Sequence, residues 1–145
     1  MLFKASYYSK KTKREIDQLV GKPFSLWKRL KMKGIGSQRL IITSETPAIQ
    51  ELIQNQNTPP YTNIELRPQG IILWFRVKLD NWVLVLPFQG LSIFKTSDGL
   101  NLYQKEWKIN LVVAHRLKMD IGFVGKLLKL KTEHSGSDSY FENPG

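Results

Sequence analysis

The most apolar stretch of the chain is ILWFRVKLDNWVLVLPF, residues 72–88, and its conformation decides the fold class. A membrane-spanning helix requires about 20 predominantly apolar residues. This stretch has 17 residues and carries three charged side chains near its middle, Arg76, Lys78 and Asp80. Each of these charges would cost roughly 2.5–3.5 kcal/mol at the centre of a bilayer. We therefore do not expect the stretch to cross a membrane.

The same stretch has the periodicity of a β-hairpin. Apolar side chains occupy every second position before Asp80, and charged side chains lie between them, which is typical of a strand with one buried face. Asp80 and Asn81 tolerate positive φ angles, so they predict a two-residue turn. A turn there places Leu79 opposite Trp82, and the next three pairs on that face are apolar as well. The pattern predicts a hairpin with this register.

Further strand signals surround the hairpin. One alternating stretch begins at Ile64 and ends at the turn of residues 68–70. Two more, which begin at Leu91 and Leu100, are separated by the turn of residues 96–99. A last one ends near Val113. A short strand at residues 39–43 comes first, and Asp120 begins an amphipathic helix. The predicted fold class is mainly β (α+β), an antiparallel meander of about seven strands with N-terminal helices and a C-terminal capping helix.

This order of elements over residues 39–131 resembles the pleckstrin-homology-like superfold, a bent sheet or half-barrel that such a helix caps. The helix expected after the first strand and the basic N-terminal extension depart from that pattern. The resemblance implies a non-catalytic module for lipid headgroups, peptides or partner proteins, although a fold does not determine a function. The segments IELRPQGIILWF and WVLVLPFQGLSIFK also resemble an uncharacterised bacterial family, which implies no function.

Charge is distributed unevenly along the chain. The net charge is +10, and residues 1–39 contain eleven basic and two acidic side chains, which gives +9 in this segment alone. Such asymmetry is typical of proteins that contact nucleic acid or an anionic membrane. We expect a basic helical segment at residues 1–38, a single β domain with its C-terminal helix at 39–131, and a disordered tail at 132–145.

Composition also suggests a cellular location. The chain has 145 residues, enough for one domain with a core, and it contains no cysteine. The absence of cysteine excludes disulfides and thiolate zinc sites and fits a reducing compartment. The first residues contain no long apolar segment of the kind found in secretory signals. We expect a cytoplasmic protein that can associate peripherally with a membrane.

The segment PFSLWKRLKMK, residues 23–33, predicts a basic amphipathic helix opened by Pro23. At 100° per residue, four apolar side chains fall within an arc of roughly 160°, and the basic side chains occupy the other side or its border. This pattern is typical of helices that bind membrane interfaces. For a helix in a small domain, however, we favour the alternative that the apolar face packs on the protein's own sheet, with the basic face still exposed. The apolar residues are Phe24, Leu26, Trp27 and Leu30.

Catalytic patterns are weak. His115 and His134 have no carboxylate at ligand spacing, so we expect structural or solvent-exposed roles for both. Trp74 and Arg76 lie on the outer face of the predicted hairpin, where they could stack on a base or a partner. A tryptophan at such a position is more often covered by another element, and we favour coverage of Trp74 by one of the N-terminal helices. We predict no catalytic residue, no cofactor and no metal site.

We therefore predict a non-enzymatic module that contacts an anionic membrane surface or an acidic partner protein through its basic N-terminal segment. A nucleic-acid-binding protein is the alternative, and a small enzyme of unknown reaction is the third. The oligomeric state is not predicted. The predicted anion- and partner-binding residues are Lys10, Lys11, Lys13, Arg14, Trp27, Lys28, Arg29, Lys31 and Lys33.

Overall fold

A computed structural model describes residues 1–114 and 117–135. Within these residues, eight strands form one antiparallel sheet, flanked by four α-helices and a 3-10 helix at Ala5–Tyr7. The strands are β1 (Leu2–Lys4), β2 (Leu40–Ser44), β3 (Tyr61–Arg67), β4 (Gly70–Val77), β5 (Asp80–Pro87), β6 (Ser92–Thr96), β7 (Gly99–Gln104) and β8 (Trp107–Val113). The helices are α1 (Lys10–Val20), α2 (Leu26–Lys31), α3 (Pro47–Ile53) and α4 (Ile121–Ser135).

The predicted fold class, mainly β and antiparallel with flanking helices, is confirmed. The sheet has the strand order β1-β5-β4-β3-β2-β8-β7-β6 within the part of the chain that the structure describes. The predicted number of strands is one too low because β1 was not recognised. Only three residues, Leu2–Lys4, form this strand, and so short a stretch shows no periodicity.

The connection between β5 and β6 requires the sheet to curl. These strands are far apart in the strand order, yet only residues 88–91 connect them. An extended chain spans about 3.5 Å per residue, so the end of β5 lies within about 18 Å of the start of β6. The Gln104 side chain secures this approach, since its amide nitrogen donates hydrogen bonds to the carbonyl oxygens of Pro87 (2.7 Å) and Gln89 (2.9 Å).

The register of the central hairpin differs from the predicted one. The turn consists of Lys78 and Leu79, and Val77 pairs with Asp80 instead of Leu79 with Trp82. Lys78 adopts the positive φ of 57°, and Leu79 is 85% exposed. The turn therefore lies two residues earlier than predicted. As a result, the residue that pairs with each position of β4 is four residues earlier in the sequence than the predicted partner. Because this difference is even, the side chains of both strands keep their predicted faces. Leu79 is the exception, since it was predicted to point inward and lies exposed in the turn.

The inner face of the sheet and α4 enclose the main core. Side chains from every strand between β2 and β8 contribute to it, together with Phe123 and Leu127 of α4. The predicted cap of this helix is present, because the Asp120 carboxylate accepts hydrogen bonds from the backbone N–H groups of Gly122 (2.9 Å) and Phe123 (3.2 Å). The helix continues through residues 132–135, which were expected to be disordered. The rest of the predicted tail, 136–145, lies outside the described residues.

A second, smaller core lies on the outer face of the sheet. Ile16 and Val20 of α1 are buried there against Ile72 of β4 and against Val83 and Val85 of β5. Strand β1 pairs with β5 at the edge of the same sheet. The first twenty residues therefore cover apolar surface of the β-sheet, although sequence analysis treated them as a separate segment.

Arg67, at the end of β3, links the outer face to α1. Its guanidinium group donates hydrogen bonds to the carboxylate of Glu65 (2.5 Å) and to the carbonyl oxygen of Gly21 (2.9 Å), and it lies 3.4 Å from the carboxylate of Asp17. The residue is buried. These contacts hold the C-terminal end of α1 against the turn between β3 and β4.

Replacement of Lys131 in α4 by an apolar residue is expected to stabilise the protein. It is only 6% exposed, forms no salt bridge within the described residues, and its burial lowers the pKa of the ammonium group. Lys131→Met should therefore raise the free energy of unfolding by roughly 1 kcal/mol at pH 7, as measured by urea denaturation. In the unfolded chain this ammonium group keeps its proton up to its usual pKa of 10.5, whereas in the folded protein it loses the proton at a lower pH. The wild type therefore gains stability as the pH rises towards 10.5, and the difference in stability between Lys131→Met and the wild type becomes smaller.

Lys129→Met is the control for this substitution. Lys129 lies two residues earlier on the same helix and is exposed, so its replacement should change the free energy of unfolding by less than about 0.5 kcal/mol. An unchanged or lower stability of Lys131→Met would show that the buried ammonium group carries no penalty in the folded protein.

Candidate functional site

Helix α2 exposes its apolar side chains to solvent. Leu26 is 73% exposed, Trp27 is 70% exposed and Leu30 is 65% exposed, and each of the six helical residues is classed as exposed. The other three residues of the helix are Lys28, Arg29 and Lys31. Of the two interpretations that the sequence allowed, the structure excludes the one in which these three apolar side chains pack on the sheet. They form an uncovered apolar surface surrounded by cations.

Local backbone chemistry makes the helix shorter than predicted. The predicted helix covered residues 23–33, but α2 begins at Leu26, because the Ser25 hydroxyl caps it by accepting a hydrogen bond from the backbone N–H of Lys28 (3.2 Å). At the other end, Lys33 and Gly34 adopt positive φ angles of 60° and 98°, which end the helical conformation.

Residues on both sides of α2 anchor it to the protein. Phe24, Met32 and Ile35 are partly buried and pack against the main core. The Lys126 ammonium group of α4 donates hydrogen bonds to the carbonyl oxygens of Lys33 (3.4 Å) and Gly34 (3.1 Å). The exposed surface of α2 is therefore held in place at both ends by ordered contacts.

The segment that leads into α4 adds two exposed apolar side chains. Leu117 is 58% exposed and Ile121 is 75% exposed. The Gln38 side chain holds this segment close to the chain that follows α2, because its amide group bonds to the backbone of Lys118 (3.1 Å) and Asp120 (2.6 Å). Neither side chain was predicted from the sequence, because neither belongs to an amphipathic period.

The basic residues of α1 lie on a different part of the surface. Four basic side chains and Asp17 line a shallow depression beside this helix. Lys11 is also exposed but does not line it. The structure thus brings three of the four predicted α1 residues together and adds Lys22, which sequence analysis had not selected. The basic residues lining the depression are Lys10, Lys13, Arg14 and Lys22.

Other predicted features contribute less. His134 is exposed on α4, with its ring centroid 6.2 Å from that of Phe88, and His115 lies outside the described residues. Among the described residues, no group of three or more histidine and acidic side chains is arranged to hold a metal ion. The described part of the chain also has no helix that is long and apolar enough to cross a membrane.

Comparisons with known proteins give no match, whether the chain is compared with protein-family models, with curated proteins or with solved structures. The function must therefore be argued from the residues of this chain.

Proposed function

We propose that this protein is a non-enzymatic module that binds anionic membrane surfaces through α2. The exposure of Leu26, Trp27 and Leu30 beside basic side chains of the same helix carries this proposal. An aromatic and two aliphatic side chains flanked by lysine and arginine suit the boundary between headgroups and acyl chains. Lys33, two residues after the helix, adds a further basic side chain.

The expected energies support membrane binding. Full burial of a large apolar side chain contributes about 1.5–3 kcal/mol, so insertion of three that are about two-thirds exposed would contribute roughly 3–6 kcal/mol. Each basic residue near an anionic surface adds about 1 kcal/mol. The four basic residues Lys28, Arg29, Lys31 and Lys33 would therefore add roughly 4 kcal/mol. Together the two contributions amount to roughly 7–10 kcal/mol, and both are needed because association itself costs at least about 4 kcal/mol in lost entropy.

The order of strands and helices supports a pleckstrin-homology-like architecture as part of this proposal. Strands β2 to β5 and strands β6 to β8 form two runs of consecutive antiparallel strands that the pairing of β2 with β8 joins, and α4 packs on the inner face of the curled sheet. The resemblance implies a binding module, in agreement with the surface of α2. In the proposed complex, the basic residues Lys10, Lys11, Lys13 and Arg14 of α1 add long-range attraction to the membrane, and the protein is a peripheral cytoplasmic one.

Sedimentation with liposomes tests the proposal. We expect the wild type to sediment with vesicles of phosphatidylcholine and phosphatidylserine, and not with phosphatidylcholine alone. Two variants should each lower the partition coefficient at least tenfold, one because it removes the apolar surface and the other because it reverses the charge. These variants are Leu26→Ser/Trp27→Ser/Leu30→Ser and Lys28→Glu/Arg29→Glu/Lys31→Glu/Lys33→Glu.

A charge-matched control separates a local effect from a general one. Four exposed lysines elsewhere on the protein can be reversed to give the same net charge as the α2 variant. This control should retain most of the liposome binding, and equal losses in both variants would contradict a site at α2. The control is Lys78→Glu/Lys105→Glu/Lys108→Glu/Lys129→Glu.

Single-residue replacement at Trp27 distinguishes a membrane from other anionic partners. Trp27→Ser should weaken liposome binding but leave the salt dependence of oligonucleotide binding unchanged, because phosphate contacts require only charge. Failure of the wild type to bind anionic vesicles, together with salt-sensitive binding of an oligonucleotide or an acidic protein, would replace the membrane proposal with that partner.

A further inference from the structure

A groove on the outer face of the sheet, to which no residue of α2 contributes, has the chemistry of a ligand site. Its volume is about 410 Å³, within the usual range of small-molecule sites. Eight of its lining residues carry aromatic, guanidinium or amide groups, and two of these, Phe75 and Trp82, lie in or against the main core. The other six are called the outer groove below. These residues are Arg39, Tyr61, Asn63, Trp74, Arg76 and Asn81.

Strand pairing brings these side chains to one face. Asn63 pairs with Trp74 between β3 and β4, and Arg76 pairs with Asn81 between β4 and β5. Successive residues of a strand alternate between the two faces, so the neighbours of Trp74 point into the main core while Trp74 points outward. Trp74 also lines a separate pocket between α1 and the sheet, together with Ile16 and Ile72, but 39% of its surface remains exposed. The N-terminal helix therefore covers Trp74 only in part.

Two arginines give the outer groove a positive charge. The guanidinium group of Arg39 lies 5.1 Å from the centre of the Tyr61 ring, and the Nε of Arg76 donates a hydrogen bond to the carbonyl oxygen of Lys78 (3.1 Å). Neither arginine forms a salt bridge within the described residues, and the groove residues that the structure describes include no acidic side chain. Each guanidinium group thus has one contact that orients it, and no carboxylate of the described residues neutralises its charge.

We propose that the outer groove binds a nucleotide unit, with its base stacked on Trp74 and its phosphate bound by Arg39 and Arg76. A tryptophan face suits the π-surface of any base, and guanidinium groups match phosphate oxygens in a bidentate geometry. The amides of Asn63 and Asn81 can both donate and accept hydrogen bonds, as the edge of a base requires. This combination favours a nucleotide over a simple anion, which would use the arginines but not the aromatic ring.

Fluorescence anisotropy with labelled octathymidylate, and calorimetry with thymidine monophosphate, test this site on the full chain. Trp74→Leu keeps an apolar side chain but removes the aromatic ring, and should weaken octathymidylate binding at least fivefold. Arg39→Gln should also weaken it and should reduce the slope of log affinity against log salt by about one phosphate contact. Binding of the monophosphate, lost in the same variants, would identify a free nucleotide as a ligand; binding of the octamer alone would identify a single strand.

Two controls make the result decisive. Lys129→Gln removes one exposed charge from α4, on the other side of the sheet, and should change affinity less than Arg39→Gln does. A heparin hexasaccharide carries charge but no base, so Trp74→Leu should leave its binding unchanged. Arg39 is exposed, so Arg39→Gln tests the site even if Trp74→Leu proves unstable. The proposal is overturned if the wild type binds neither nucleotide probe, or if Arg39→Gln weakens binding no more than Lys129→Gln.

Discussion

Replacement of Gly99 by alanine is expected to lower the free energy of unfolding by more than about 4 kcal/mol, a large share of the roughly 5–15 kcal/mol typical of a domain. A Cβ atom at Gly99 would lie 1.7 Å from the backbone oxygen of Leu111 in β8. No rotation of a side chain relieves this contact, because the obstacle is the backbone of the paired strand. Strands β7 and β8 would have to separate where Gly99 pairs with Val112. Urea denaturation and the yield of soluble protein measure the effect.

Gly125→Ala provides the opposite control. Gly125 lies within α4, and a Cβ atom added there would meet no atom within 4 Å. Alanine has a higher helix propensity than glycine by about 1 kcal/mol, so this variant should be more stable than the wild type. A loss of less than 1 kcal/mol in Gly99→Ala would show that β7 and β8 are not packed as closely as described.

Replacement of Arg67 by methionine is expected to cost about 2–4 kcal/mol in the free energy of unfolding. The substitution removes the cation between Asp17 and Glu65, whose side chains are 19% and 26% exposed, and it also removes the bond to the carbonyl oxygen of Gly21. Removal of one partner from a fully buried ion pair costs about 3–5 kcal/mol, and the partial exposure of these carboxylates reduces that value. Thermal and urea denaturation give the measurement.

Neutralisation of the carboxylates distinguishes the ionic contribution from simple packing. In the background of Arg67→Met, the changes Asp17→Asn and Glu65→Gln should recover part of the lost stability, because uncompensated charges are removed. In the wild-type background the same two changes should be destabilising. If they are equally harmful in both backgrounds, the role of Arg67 is packing and not charge.

Periodicity predicted the faces of the sheet but not its pairing. From Leu73 to Val77 the alternation correctly separated inward from outward side chains, because this separation depends only on neighbouring residues. The turn was misplaced because Asp80 and Asn81 have stronger turn propensities than Lys78 and Leu79. The edge strand β1 pairs with β5 from Leu84 to Trp82, and Lys4 forms a salt bridge with Asp80 at 3.5 Å. These contacts arise from the start of the chain, which a local pattern does not include.

The same limit applied to the candidate surfaces, because a local pattern shows which residues share a face but not what packs against that face. The amphipathic pattern of residues 23–33 identified Trp27 and its basic neighbours, but a helical arc is the same whether its apolar side is buried or exposed. That choice depends on whether another element reaches it, which only the tertiary structure shows. The sequence predicted only part of the outer groove, namely that Trp74 and Arg76 lie on the same outward face. Arg39 and Tyr61 join it through the pairing of β2 with β3, which no local pattern indicates.

The position of β2 in the strand order has a consequence for the speed of folding. The pairs β3–β4, β4–β5, β6–β7 and β7–β8 are hairpins between consecutive strands, but β2 joins β8 by pairing Leu40 with Val113 and Ser44 with Ile109. These contacts close loops of more than sixty residues, and such closure carries a large entropic cost before any contact compensates it. The two halves of the sheet should therefore form early as local hairpins, and their union along β2 and β8 should determine the folding rate.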